Sequence, residues 1–299
     1  MGGAESWKLK AEAPNPQLVL CLWTVKRVPH LHLLSTNVLR EVCAYLQVPM
    51  PCLPLVFTDS IAYFDFLTEQ LEPKVSLSRS IEKESGSRWA VIDANRIFLC
   101  GGGYFFVLKS AYLLQRDGEV QELPNMQVGR SHSGLALWKG AVHVFGSGSS
   151  SDGAQRKCER LSLTALAWEW LPDMHRERCL FTPAVWKDAI YLCLYSIEVY
   201  DGTDMRELKI QLPIDNSSTF SCVLQDCLLL VSQYHMTVYS QTGKGTVTEV
   251  AKKKYCPVDC CSPGSNPVLY HRSLYHVLGD RIVKYADVER VFADASTGR

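Results

Sequence analysis

One strand-turn-strand phrase occurs six times in this chain, and that recurrence restricts the fold more than any other feature. It occupies residues 56–63, 91–99, 137–144, 185–192, 223–230 and 269–276. Each copy has an apolar pair, a short polar turn and then an apolar run. Anchored on Ile61, Ile97, Val142, Ile190, Leu228 and Leu274, the copies are 36, 45, 48, 38 and 46 residues apart, about 43 on average. A period in that range marks a repeat architecture.

Each copy is followed by a further strand pair. Tyr112–Leu114 and Glu119–Leu123 flank an Asp117-Gly118 turn, a hairpin signal. The third copy continues with 159–163 and 167–171, and the fourth with 197–200 and 207–210. The fifth continues with 236–239 and 246–250, and the sixth with 282–285 and 288–291. Four antiparallel strands per repeat is the content of one propeller blade. The expectation is therefore an all-β, six-bladed β-propeller over residues 53–299. In the first copy the third strand has no clear place between Phe66 and Pro73.

Residues 1–16 are polar, hold Pro14 and Pro16, and read as a flexible tail. Residues 17–52 form an N-terminal segment. Within it, Ser35-Thr36-Asn37 supplies N-cap residues. Val38, Leu39, Val42, Tyr45 and Leu46 then share one helical face, until Pro49 and Pro51 stop the helix. The propeller is thus expected to carry a short N-terminal helical extension.

Composition removes several classes of function. The 31 basic and 31 acidic side chains balance, with no long basic run, which argues against nucleic-acid binding. No run of 18 apolar residues exists to span a membrane. The first six residues hold no apolar signal core, so a cytoplasmic setting with twelve reduced cysteines is expected. The same six residues fit the N-myristoylation pattern with Gly2 as acceptor. One such chain gives only marginal membrane association.

Three stretches carry a family resemblance. Leu123-Pro124-Asn125-Met126, Gly129-Arg130-Ser131-His132-Ser133-Gly134 and Val142-His143-Val144-Phe145-Gly146 together resemble the core pattern of kelch-repeat propellers. Leu171-Pro172-Asp173-Met174-His175-Arg176-Glu177-Arg178 repeats its opening. Gly101-Gly102-Gly103, Tyr112 and Trp168 match further kelch positions. The resemblance covers roughly residues 53–292 and is specific for blades two to four. Where the family has a double glycine, the last three blades carry Leu194-Tyr195, Ser232-Gln233 and Leu278-Gly279.

Loops in such a blade alternate between two ends. One end collects tight turns. The other collects the blade junctions, with Arg88, Arg130, His132 and Arg178, and the second-to-third strand loops, with Tyr104, Phe105, Phe106, Tyr195, Tyr234 and His235. Arginine and aromatic side chains dominate interface energetics. Kelch propellers typically bind protein segments across this face, so the resemblance implies a protein or peptide partner here. A second reading of Arg130 and Arg178 is that they brace the blade by bonding carbonyls. The N-terminal helix reads either as a cap or as an F-box-like remnant of a ubiquitin-ligase substrate adaptor.

Signals for chemistry are sparse. Cys256, Cys260 and Cys261 cluster ahead of His271 and His276, but C-x3-C-C lacks the paired C-x2-C spacing of zinc sites. Asp59, Asp93, Asp188 and Asp226 recur at equivalent turns, where Asp bonds local backbone. No P-loop, G-x-S-x-G or H-E-x-x-H occurs. The expectation is a non-catalytic protein-interaction module without a cofactor. The alternatives are a propeller enzyme taking a sugar-like ligand at a central channel, or a cytoskeletal scaffold.

Overall fold

The computed structural model describes residues 52–65, 70–93, 95–103, 106–149, 153–212, 219–224, 226–232, 235–241, 246–254, 268–270, 273–278 and 281–285. The helix read over Asn37–Leu46 lies outside them, as does the strand read over 288–291. The described residues are all-β and form six sheets, mostly four-stranded antiparallel meanders, with one short parallel pair. This arrangement is compatible with a propeller-like fold.

Sheet one holds β1 (Cys52–Val56), β2 (Ser60–Asp65), β3 (Gln70–Leu71) and β4 (Val75–Ser76). Sheet two holds β5 (Arg88–Val91), β6 (Arg96–Cys100), β7 (Ala111–Gln115) and β8 (Val120–Leu123). Sheet three holds β9 (Gly134–Trp138), β10 (Ala141–Phe145), β11 (Cys158–Ser162) and β12 (Ala167–Leu171). After the short β13 (Phe181–Thr182) comes sheet four, with β14 (Ala184–Trp186), β15 (Ala189–Leu194), β16 (Ser196–Tyr200) and β17 (Met205–Gln211). Sheet five holds β18 (Thr219–Leu224), β19 (Cys227–Val231), β20 (His235–Gln241) and β21 (Val247–Lys254). Sheet six holds β22 (Val268–Tyr270), β23 (Ser273–Leu278) and β24 (Arg281–Tyr285).

The repeated phrase is the first hairpin of every sheet, in one register. Ile61 pairs with Val56, Ile97 with Val91, Val142 with Leu137, Ile190 with Val185, Leu228 with Val223 and Leu274 with Leu269. The third strand of sheet one is split. Its two pieces both pair with β2, and Pro73 lies between them. Proline has no N–H to give the ladder.

The second strands are buried along their whole length in β10 and β15. Strands covered on both faces read as continuous apolar runs rather than alternating ones. Alternate residues serve different cores. Ile97 and Leu99 pack with Ile61 and Tyr63 of sheet one, while Phe98 and Cys100 pack with Val142 and Val144 of sheet three. Phe145 and Cys158 meet Ile190 and Leu192 of sheet four, whose Tyr191 and Cys193 meet Leu228 and Leu230 of sheet five. Sheets one to five therefore stack face to face in chain order. Cys52, Cys100, Cys158 and Cys193 are free, buried thiols. Burial pushes the last three up to about 12, so they serve as small apolar side chains.

Three further devices join neighbouring sheets. β13 precedes sheet four yet pairs in parallel with β18 of sheet five, Phe181 opposite Thr219. In the turns, Lys139 pairs with Asp188 at 2.9 Å and Lys187 pairs with Asp226, so these aspartates bind across sheets, whereas Asp93 accepts the Asn95 and Arg96 N–H groups of its own turn. The junctions are also linked in series through backbone. His132 N–H donates to Gly86 O, Leu180 N–H to His132 O, and Thr219 N–H to Leu180 O, at 2.8–3.0 Å. Gly86, His132 and Leu180 all have positive φ (81°, 52° and 57°).

Candidate interaction face

The two motif arginines occupy one repeated arrangement. Leu123-Pro124-Asn125-Met126 leads to Arg130 and Leu171-Pro172-Asp173-Met174 leads to Arg178, with identical spacing. Arg130 Nε donates to Glu159 Oε1 at 2.8 Å, and Nη1 donates to Gly146 O (2.9 Å) and Lys157 O (2.7 Å). Arg178 donates through Nε and Nη2 to Glu198 Oε1 (3.1 and 2.8 Å) and through Nη1 to Leu194 O and Ser196 O. Each carboxylate also takes a backbone N–H from just after the methionine, Gln127 in one case and His175 in the other, at 2.9 and 2.8 Å.

The acids come from the third strands. Glu159 on β11 faces Val144, and Glu198 on β16 faces Leu192, each two residues past the phrase anchor. The matching position in sheet two is Tyr112, opposite Leu99. Its hydroxyl accepts the Glu82 N–H at 3.3 Å. One register position thus ties the incoming junction to the blade with a carboxylate or a phenol.

Arg130 and Arg178 are 0% and 2% exposed. They present no surface to a partner, and their bonding is that of the brace. Arg88 is likewise buried. It opens β5, its Nε donates to Ser133 O at 2.7 Å, and burial depresses its guanidinium to about 10. His132 is half-buried at φ 52°, and burial, then the Arg88 charge, lowers its pKa.

Two aromatic side chains are exposed on this face. Phe106 is 89% exposed. It is carried by the ten-residue β6–β7 loop, 101–110, whose base is tightly held. Gly103 N–H donates to Ser85 O and Leu108 N–H to Gly102 O, both at 2.9 Å. Gly101, Gly102 and Gly103 all have positive φ, and a Cβ on Gly103 would lie 1.9 Å from Phe106 O. Only glycine fits there. Tyr195 is 37% exposed and is the whole connection between β15 and β16. Its φ of 62° costs an L-residue about 1–2 kcal/mol.

Tyr195 borders a groove of about 690 Å³, lined also by Arg176, Ser196, Glu207, Leu208, Lys209, Ile210 and Leu212. A β-bulge opens it. Ser196 pairs with Gln211 but Ile197 with Leu208, which leaves Lys209 and Ile210 without cross-strand partners. Arg176 Nε donates to Glu207 Oε1 at 2.7 Å on its rim. A hydrogen bond from Ser196 and then one from Arg176 hold the Glu207 carboxyl below its usual range.

Of the other candidates, His235 opens β20. Tyr104, Phe105, Tyr234, Gly2, Cys256, Cys260 and Cys261 lie outside the described residues, within which no three metal-ligating side chains converge. Among the described residues no helix is long and apolar enough to cross a membrane. Sequence reasoning missed Glu159 and Glu198. Their signal was a carboxylate enclosed by apolar residues in a strand, as in Ser-Ile-Glu-Val-Tyr at 196–200. No family model matches the chain, and no curated protein is significantly similar to it.

Proposed function

We propose that this chain is a six-bladed kelch-like propeller that works as a non-catalytic, cytoplasmic protein-interaction module. It takes a partner protein or peptide across the face formed by the blade junctions and the second-to-third strand loops. One observation carries the reading. On that face Arg88, Arg130 and Arg178 are consumed in internal contacts, while Phe106 and Tyr195 are presented to solvent. Exposed aromatic side chains are a common material of interface anchors. Quantitative affinity capture with the full chain tests it, comparing wild type with Phe106→Ala/Tyr195→Ala. The expected result is selective loss of a defined partner set at unchanged melting temperature, with cross-links to that partner mapping to this face. Capture unchanged in the double variant overturns the reading. A ubiquitin-ligase substrate adaptor is its more specific form, and recovery of cullin-complex components among the captured proteins decides it.

A further inference from the structure

We propose that the groove beside Tyr195 is a docking site for an acidic, partly apolar peptide segment of a partner protein, a step that rests on the interaction-module reading. Two breaches of local backbone rules converge on this one groove. A tyrosine sits in the left-handed region where sheets two and three place glycine, at Gly101 and Gly146. A bulge in β17 releases Lys209 and Ile210 from the ladder. Sites where a fold departs from its own local rules concentrate at functional positions, and bulges there re-aim side chains.

The lining defines the ligand. Leu208 and Ile210 are half-buried and Leu212 is buried, so they provide an apolar wall continuous with the core between sheets four and five. Among the described lining residues the charge is unbalanced. Arg176 and Lys209 are both exposed and cationic, and the one carboxylate among them, Glu207, is already bonded by Arg176. Lys209 makes no ion pair among the described residues. His175, the neighbour of Arg176 in the chain, has its side chain half exposed and its Nδ1 against Glu198. A segment with one or two carboxylates flanking an aliphatic or aromatic residue matches both the wall and the rim. Charge complementarity of this kind sets register and association rate.

Random dodecapeptide display on the immobilised full chain tests this, followed by fluorescence polarisation of the enriched peptides. The expected outcome is an acid-rich consensus containing an apolar residue. Arg176→Glu/Lys209→Glu should weaken binding about ten-fold or more, and raising salt from about 0.1 to 0.5 M should weaken it further. Lys209→Ala serves if the double reversal does not fold, with about three-fold weakening expected. Enrichment of peptides without excess acid, binding within two-fold of wild type in the reversal variant, or no enrichment at all overturns the proposal. Enriched peptides that depend on Phe106 but not on Lys209 would sink the groove and leave the interaction-module reading standing. Loss of both dependencies would sink both.

Discussion

Replacing Arg130 with methionine separates bracing from partner contact at the position where the two roles compete. The substitution keeps most of the side-chain volume and removes four donated hydrogen bonds, those to Glu159 Oε1, Gly146 O, Lys157 O and, longer at 3.4 Å, Ala154 O. Among the described residues it also leaves the fully buried Glu159 carboxylate with the Gln127 N–H alone. Removing one member of a buried ion pair costs about 3–5 kcal/mol. Unfolding entropy near the midpoint is about 2 cal/mol/K per residue, or about 0.6 kcal/mol/K for a chain of this length. The expected fall in Tm is therefore about 5–8 °C by scanning calorimetry. Arg130→Lys keeps the charge but not the planar fork, so about half that loss is expected. Adding Glu159→Leu to the methionine variant should recover part of the stability, because the stranded carboxylate is gone. A Tm within about 1 °C of wild type, together with abolished partner capture, would refute the brace and return Arg130 to the interface.

Three other outcomes follow from the geometry. His143 is 1% exposed among Trp138, Phe145 and Tyr200, and burial holds its pKa down to about 4. Its folded value lies below the unfolded one near 6.5. The stability it contributes is therefore complete above pH about 6.5 and lost as pH falls from there through 4, about 3 kcal/mol in all. Chemical denaturation from pH 7 to 4 should show that slope in wild type and a flatter one in His143→Phe. Gly146→Ala would place a Cβ 2.2 Å from Arg178 O at φ 66°, and a loss of about 3 kcal/mol is expected in urea titrations. Tyr195→Gly should do the reverse. Relief of the positive φ should raise stability by about 1 kcal/mol, while polarisation assays of groove-bound peptides should show loss of affinity.

The sheets were readable because their logic is local. An apolar pair, a polar turn and an apolar run make a hairpin whatever surrounds it, and the six anchors share one register. The braces were half readable. Arg130 and Arg178 stand out through their shared spacing, but the acids that decide their orientation lie 29 and 20 residues further on. Only the folded sheet shows that these positions correspond. Three features had no sequence signal of their own. Tyr195 adopts a glycine-like backbone without being glycine. β13 crosses to a sheet other than the one it precedes. The β17 bulge arises from a register change that leaves the amphipathic pattern of the strand intact.

The backbone links through Gly86, His132, Leu180 and Thr219 give the stack an unusual reporter. Most amides in these sheets are protected by the strand beside them, so their exchange with solvent deuterium measures the opening of a single sheet. The amides of His132, Leu180 and Thr219 are instead held by carbonyls of the preceding junction. Their protection lasts only while neighbouring sheets stay docked. Exchange at these three positions therefore measures separation of one sheet from the next, a motion that the ladder amides on either side do not register.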